Sequence, residues 1–120
     1  MRAPFIQSAA TVIALTVVAL TVSASRVAAQ SPSFACTGPV NSAEYKICTT
    51  PALAAADQRM ADVYESVKRH IRPRSDVPFF VGDQKRWLAQ RDACGSKRCI
   101  GRAYAQRIET LESYAVIRDD

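Results

Sequence analysis

The chain has 120 residues, a net charge of +5 at neutral pH, and 48% hydrophobic against 22% charged residues. That length suits one small domain, and a charge so mild, with no basic run interleaved with aromatics, argues against nucleic-acid binding. The four glycines are isolated, so there is no phosphate-cradling loop, and a single histidine among 120 residues leaves little material for a catalytic dyad.

Arg2 precedes a run of apolar and small residues from Phe5 to Ala24, and Val27-Ala28-Ala29 places small residues where a signal peptidase reads them. A basic start, a short apolar stretch and an A-x-A-like end predict a secretory signal peptide over residues 1–29, leaving residues 30–120 as one helical domain. A membrane anchor needs ~20 consecutive apolar residues, whereas threonines and serines break this run. Gln30 rather than a cysteine follows the cleavage point, so no lipid attachment is expected. Loss of Arg2 and Arg26 lowers the net charge from +5 to +3.

Residues 30–35 are a polar lead with Phe34 expected to fold back onto the core. Asn41, followed three residues later by Glu44, reads as the N-cap of a short helix from about Ser42 to Cys48. Thr50 and Pro51 open the next helix, because proline suits a first turn whose N–H needs no partner. From there Leu53, Ala56, Met60, Val63, Tyr64, Val67 and Ile71 recur at three- and four-residue steps, one continuous apolar stripe ended by Pro73. Gln58, Arg59, Asp62, Glu65, Lys68 and Arg69 form the opposite, solvated face. The two prolines in residues 72–78 indicate a loop. A third helix is predicted from Val77 to Ala93, with Phe80, Asp83, Gln84, Trp87, Leu88 and Arg91 sharing or bordering one face and Gly95 placed to end it. The last helix runs from about Lys97 to Tyr114 on a stripe of Ile100, Ala103, Tyr104, Ile108, Leu111 and Ala115. No stretch alternates with period two. The fold class is all-α: a small disulfide-bridged bundle of three main helices plus a short N-terminal one.

Cys36, Cys48, Cys94 and Cys99 all lie in the mature part, and an even number in a small exported chain reads as a disulfide framework. Structural zinc usually takes two close C-x2–4-C pairs or one such pair with histidines, whereas here only Cys94-x4-Cys99 has that spacing, Cys36 and Cys48 are C-x11-C, and His70 is far from both. No metal and no cofactor is expected. Four cysteines allow three pairings, all open at this point. The local one, Cys36–Cys48 and Cys94–Cys99, is favoured because each bridge closes a loop beside a predicted helix end.

No catalytic residue emerges. His70 sits at a helix end, Asp57, Asp62 and Glu65 lie on a helix rich in arginine and lysine and read as surface pairs, and the chain is read as no enzyme. Trp87 at helical spacing with Leu88 reads as core. Asp57 stands amid the apolar half of its helix, and Arg91 and Arg107 lie near core-facing positions from which either can pair with it. The alternative use of Arg91, together with Asp92, is to project beside the Cys94–Cys99 loop and meet a partner. Residues 72–82, with Asp76, Val77, Phe79, Phe80 and Asp83, are the segment best suited to plug a cleft, on the expectation that Phe79 is exposed and Phe80 buried. The candidate partner-binding residues are therefore Phe79, Arg91 and Asp92.

Phe34-Ala-Cys36, Glu44-x-x-Ile47-Cys48, Pro51-x-Leu53-Ala54-x-x-Asp57, Tyr64, Gln84-x-x-Trp87-Leu88-x-x-Arg91-Asp92-x-Cys94 and Cys99-x4-Tyr104-x-x-Arg107-Ile108-x-x-Leu111 follow one another in this order. The pattern, over roughly residues 34–114, resembles the LprI-type lysozyme-inhibitor domain family. The resemblance implies a small, exported, cysteine-bridged helical domain of bacteria, periplasmic or secreted, whose partner is a lysozyme or another envelope protein. The reading that stands beside inhibition is an envelope module binding another protein or an anionic surface. The chain departs from the lipoprotein namesake in having no lipid-attachment cysteine, and Ala35 stands where an acidic residue is common in the family. A mature charge of +3 also gives no acidic face to steer toward a basic lysozyme.

Overall fold

The computed structural model describes residues 31–116, so the predicted signal peptide and its cleavage point lie outside the described residues. The helices are α1 (Ala43–Thr49), α2 (Pro51–His70), α3 (Val77–Asp92) and α4 (Lys97–Val116), with a 3₁₀ turn at Arg74–Asp76 leading into α3. Among the described residues there is no strand, and the all-α expectation holds.

The start of α1 differs from the expectation by one residue. Ser42, not Asn41, is the N-cap, and its hydroxyl accepts from the Tyr45 amide at 3.0 Å. Asn41 takes φ 72°, in the left-handed region that asparagine tolerates better than most residues, and its carbonyl accepts the Lys46 ammonium. The chain turns tightly here. A Cβ on Gly38 would come within 2.9 Å of the Glu44 carboxylate and 3.0 Å of the Ser42 hydroxyl, so the loop lies close on the first turn of α1 and a larger residue here would push those side chains aside. Thr50 caps α2 through its backbone alone: its carbonyl accepts from the Leu53 and Ala54 amides, while its buried hydroxyl has no partner.

The predicted loop at 72–78 is shorter than expected, because the 3₁₀ turn takes residues 74–76 and α3 begins at Val77 with Pro78 in its first turn. The peptide bond between Arg72 and Pro73 is cis. Arginines close the end of α2: Arg74 Nη1 donates to the Lys68 carbonyl at 3.0 Å and Arg72 Nη1 to the Ile71 carbonyl at 2.8 Å. These bonds occupy acceptors that a helix C-terminus otherwise leaves open, and they set positive charge against the negative end of the helix dipole. α3 stops at Asp92 with Ala93 as C-cap, and no glycine in the described chain has a positive φ, so Gly95 does not supply the left-handed cap expected of it. The Cys94–Cys99 bridge closes that turn instead.

The core is one cluster. Ile47 of α1, Leu53, Met60 and Val67 of α2, Phe80 and Trp87 of α3, and Ile100, Tyr104, Ile108 and Leu111 of α4 are buried together, with Ile71 sealing the end of α2. Each such side chain contributes about 1.5–3 kcal/mol relative to exposure. Phe80 stacks on Tyr64 with ring centroids 5.1 Å apart and meets Tyr114 edge-on at 5.8 Å. Both favoured disulfides form, Cys36–Cys48 and Cys94–Cys99, with Cα–Cα distances of 5.9 and 5.5 Å, inside the ordinary range for a bridge.

Candidate functional site

Two polar systems cross the bundle, and both depend on charged residues that the apolar stripes carry inward. In the first, Asp57 of α2 is fully buried. Its Oδ1 accepts from the Tyr104 hydroxyl at 2.7 Å, and its Oδ2 accepts from the Ser33 amide at 2.6 Å. Arg91 of α3 places Nη1 3.6 Å from Asp57 and donates to the Tyr104 hydroxyl at 3.1 Å. The same guanidinium donates through Nε and Nη2 to Asp92 Oδ1 at 2.9 and 2.6 Å. It also lies 5.3 Å from the Phe34 ring centroid and 6.0 Å from those of Trp87 and Tyr104. One buried acid thus joins the N-terminal segment, α2, α3 and α4. Burial opposes the charged form of Arg91, but its hydrogen bonds to Asp92 and Tyr104 outweigh that and hold its pKa above the ordinary value.

The second system belongs to Arg107 of α4. Of the two arginines able to reach Asp57, only Arg91 does so. Arg107 turns toward α3, donating through Nε to Gln84 Oε1 at 2.9 Å and through Nη1 to Asp83 Oδ2 at 2.7 Å. Gln84 passes the chain on by donating to the Met60 sulfur at 3.1 Å.

Tyr104 gives the first system a pH limit. Burial first, and the hydrogen bond to Asp57 second, push its pKa well above the ordinary phenol value. A group whose folded pKa is raised gives stability that is complete below its unfolded pKa, about 10, and lost as pH climbs past it. Urea unfolding between pH 7 and pH 11.5 should therefore show stability falling above about pH 10, by up to ~1.4 kcal/mol per pH unit for this proton. Tyr104→Phe should flatten most of that slope. Tyr64, raised mainly by its own burial with Lys68 opposing, supplies the remainder. A slope unchanged in Tyr104→Phe would assign the alkaline loss elsewhere.

The outer surface offers a different feature. Phe79, in the first turn of α3, is 71% exposed while its neighbour Phe80 is 4% exposed, the division expected from the sequence. The Arg86 guanidinium lies 5.8 Å from the Phe79 ring centroid. Beside the ring is a pocket of about 480 Å³ between Ile71, Asp76, Phe80, Asp83 and Tyr114. Arg69, Arg72 and Arg74 surround the same α2–α3 corner.

The candidate residues Phe79, Arg91 and Asp92 do not form one site. Phe79 and Asp92 stand at opposite ends of α3, about 20 Å apart at 1.5 Å per residue. Arg91 is 3% exposed, with its guanidinium turned inward, so of that adjacent pair Asp92 is the one that faces solvent. All four cysteines are in disulfides, so none is a nucleophile or a metal ligand.

The four bridging cysteines, the buried acid of α2 and the Trp87–Arg91–Asp92 run of α3 fall within residues 36–116, the span over which the family model described as "Lysozyme inhibitor LprI" matches the chain. The chain belongs to the LprI family. No curated protein and no solved structure gives a match. Within the LprI domain, sequence reasoning found the Asp57–Arg91 pair but missed the Tyr104 hydroxyl that bridges it and the Ser33 amide that completes it. Tyr104 sits in the apolar stripe of α4, and its only outward signal is a hydroxyl that must find a partner once buried. The Ser33 contact is a backbone one and leaves no mark on residue type. A family named for inhibition, with both disulfides formed, fits a protein that works outside the reducing cytoplasm.

Proposed function

We propose that the protein is exported through a signal peptide cleaved after Ala29, to the periplasm or beyond, and that it inhibits a lysozyme-type glycan hydrolase by seating its α2–α3 corner in the enzyme's cleft. The observation that carries this reading is the exposed Phe79, a large apolar ring held out at the start of a rigid helix beside a 3₁₀ turn. Glycan hydrolases cut between paired carboxylates at the base of a groove. The corner presents what such a groove accepts: an aromatic wedge with the Arg86 guanidinium against it and a surround of further arginines. The mature charge of +3 then acts locally, through the excess of Arg69, Arg72, Arg74 and Arg86 over Asp76 and Asp83 around the corner, rather than through long-range steering toward a basic enzyme. Asp92, at the far end of α3, lies outside this contact.

The test is protection of a peptidoglycan suspension against several lysozyme types by the oxidised mature protein, residues 30–120, over a salt series. Truncating a central aromatic anchor costs about 2 kcal/mol or more, so Phe79→Ala should weaken inhibition about 30-fold. Its thermal midpoint should stay within a few degrees, because the ring contributes little to the core. Inhibition undiminished in Phe79→Ala removes the corner from the contact. No protection by the wild type favours the second reading, an envelope module that binds another protein or an anionic surface, for which the same arginine-rich corner is the supporting feature.

A further inference from the structure

Arg107 is 6% exposed and uses Nε and Nη1 on Gln84 and Asp83, yet its buried Nη2 has no hydrogen-bond partner among the described residues. The guanidinium carbon lies 5.9 Å from the Trp87 ring centroid, but the N–H bonds of Nη2 still call for an acceptor, since a buried donor left unmet is costly and is nearly always paired with protein, water or a bound group. The side chain borders a groove of about 310 Å³ between α3 and α4, which Trp87 and Gln90 line from one side and Arg102 and Gln106 from the other. The Cys94–Cys99 bridge closes one end of this groove. Arg98, Arg102 and Gln106 follow at four-residue steps along one face of α4, so positive charge continues along the groove's rim. The acidic residues of α4, Glu109 and Glu112, line a different groove, against α2.

We propose that the α3–α4 groove is a binding site for a carboxylate-bearing ligand of about one sugar or amino-acid unit, held between Arg107 Nη2 and Arg102. The charge pattern selects an anion, and the size selects a small one. Arg102 and Arg107 both border the groove, and a guanidinium fork suits the two oxygens of a planar carboxylate. The Gln90 and Gln106 amides offer both donors and acceptors to a neutral polar remainder, and Trp87 forms an apolar floor. Gln90 and Gln106 are exposed groove residues whose side chains change rotamer on the nanosecond scale, so the groove's polar lining adapts to a ligand without disturbing the core. The site is separate from the α2–α3 corner, and it stands whether or not the corner inhibits an enzyme.

Trp87 is the only tryptophan, so intrinsic fluorescence reports this groove directly. The oxidised mature protein is titrated with N-acetylmuramic acid, with N-acetylglutamate and with the neutral N-acetylglucosamine. A saturable change with one or both acids, absent with the neutral sugar and weakened by salt, is the expected result. Response to muramic acid alone marks a sugar acid as the ligand, and response to both marks a more general carboxylate site. Arg102→Gln, an exposed substitution that leaves the buried pairs intact, should weaken binding about tenfold, the effect of losing one charge-assisted hydrogen bond. Lack of any saturable response to either acid overturns the proposal. So does equal binding of the neutral sugar, or binding that Arg102→Gln leaves unchanged.

Discussion

Asp57→Ala is expected to cost about 3–5 kcal/mol, because it leaves a buried arginine and a buried phenol without the acceptor they share and frees the Ser33 amide. At roughly 4–8 °C per kcal/mol for a domain of this size, the thermal midpoint should fall by about 15–30 °C. That loss approaches the whole stability of a small domain, so the variant should be partly unfolded at 37 °C. The reasoning concerns what is left behind rather than what is removed. Arg91 keeps Asp92, but on the solvent side, and the Tyr104 hydroxyl would still accept from Arg91 while its own proton had nowhere to go. The Ser33 amide would lose the bond that seats the N-terminal segment. Asp57→Asn keeps the shape and one acceptor and should cost less than half as much. Thermal and urea unfolding followed by far-ultraviolet circular dichroism measure all of this. A midpoint for Asp57→Ala within about 3 °C of the wild type, less than 1 kcal/mol on that scale, would place the carboxylate outside the network.

The helices were legible because each carries an apolar stripe at helical spacing, and those stripes are what the core buries. The bridges were legible because each pair lies close in sequence beside a helix end. Asp57 showed through as an acid inside an apolar half-helix, although the helix's charge pattern also read it as a surface partner; Arg91 and Arg107 both stood as cations able to meet it, and the fold buries it with Arg91. Three things did not show. Ser42 displaced Asn41 as the cap because Asn41 takes a left-handed turn one residue earlier, a conformation that removes it from the cap position. Gly95 took no left-handed conformation, since the Cys94–Cys99 bridge turns the chain there. The pairing of Arg107 with Asp83 and Gln84 depends on the crossing of α3 and α4, which no local pattern encodes. For the same reason the groove at Arg107 Nη2 was invisible: it consists of one donor left over after tertiary pairing. Phe79 and Phe80 were the reverse case. Two adjacent aromatics on a helix cannot both face the core, and the stripe already required Phe80.

Removing the Cys36–Cys48 bridge, as Cys36→Ser with Cys48→Ser, should cost more than removing Cys94–Cys99 in the same way, and by more than loop length alone predicts. Loop-closure entropy gives about 3 kcal/mol for the longer loop and about 2 kcal/mol for the shorter. The longer loop also anchors a segment with work to do. Cys36 holds Ser33 and Phe34 in place, and those residues supply an amide to Asp57 and an aromatic face to Arg91. With the bridge gone, the segment must find that position unaided, and fraying would expose the buried acid to water. The two perturbations are therefore coupled. In an Asp57→Asn background, loss of Cys36–Cys48 should cost less than it does in the wild type, with a coupling on the order of 1 kcal/mol. Loss of Cys94–Cys99 should simply add. Urea unfolding of the wild type, Asp57→Asn, and each bridge deletion with and without Asp57→Asn measures both terms. Equal costs for the two bridges, or additivity of the first with Asp57→Asn, would mean that the N-terminal segment holds its place without the disulfide. If the coupling is present, losing both bridges removes about 5 kcal/mol or more, which is of the order of the entire net stability of a small domain. A chain balanced in that way folds fully only where disulfides persist, and its dependence on an oxidising compartment is then a property of its core as well as of any leader sequence.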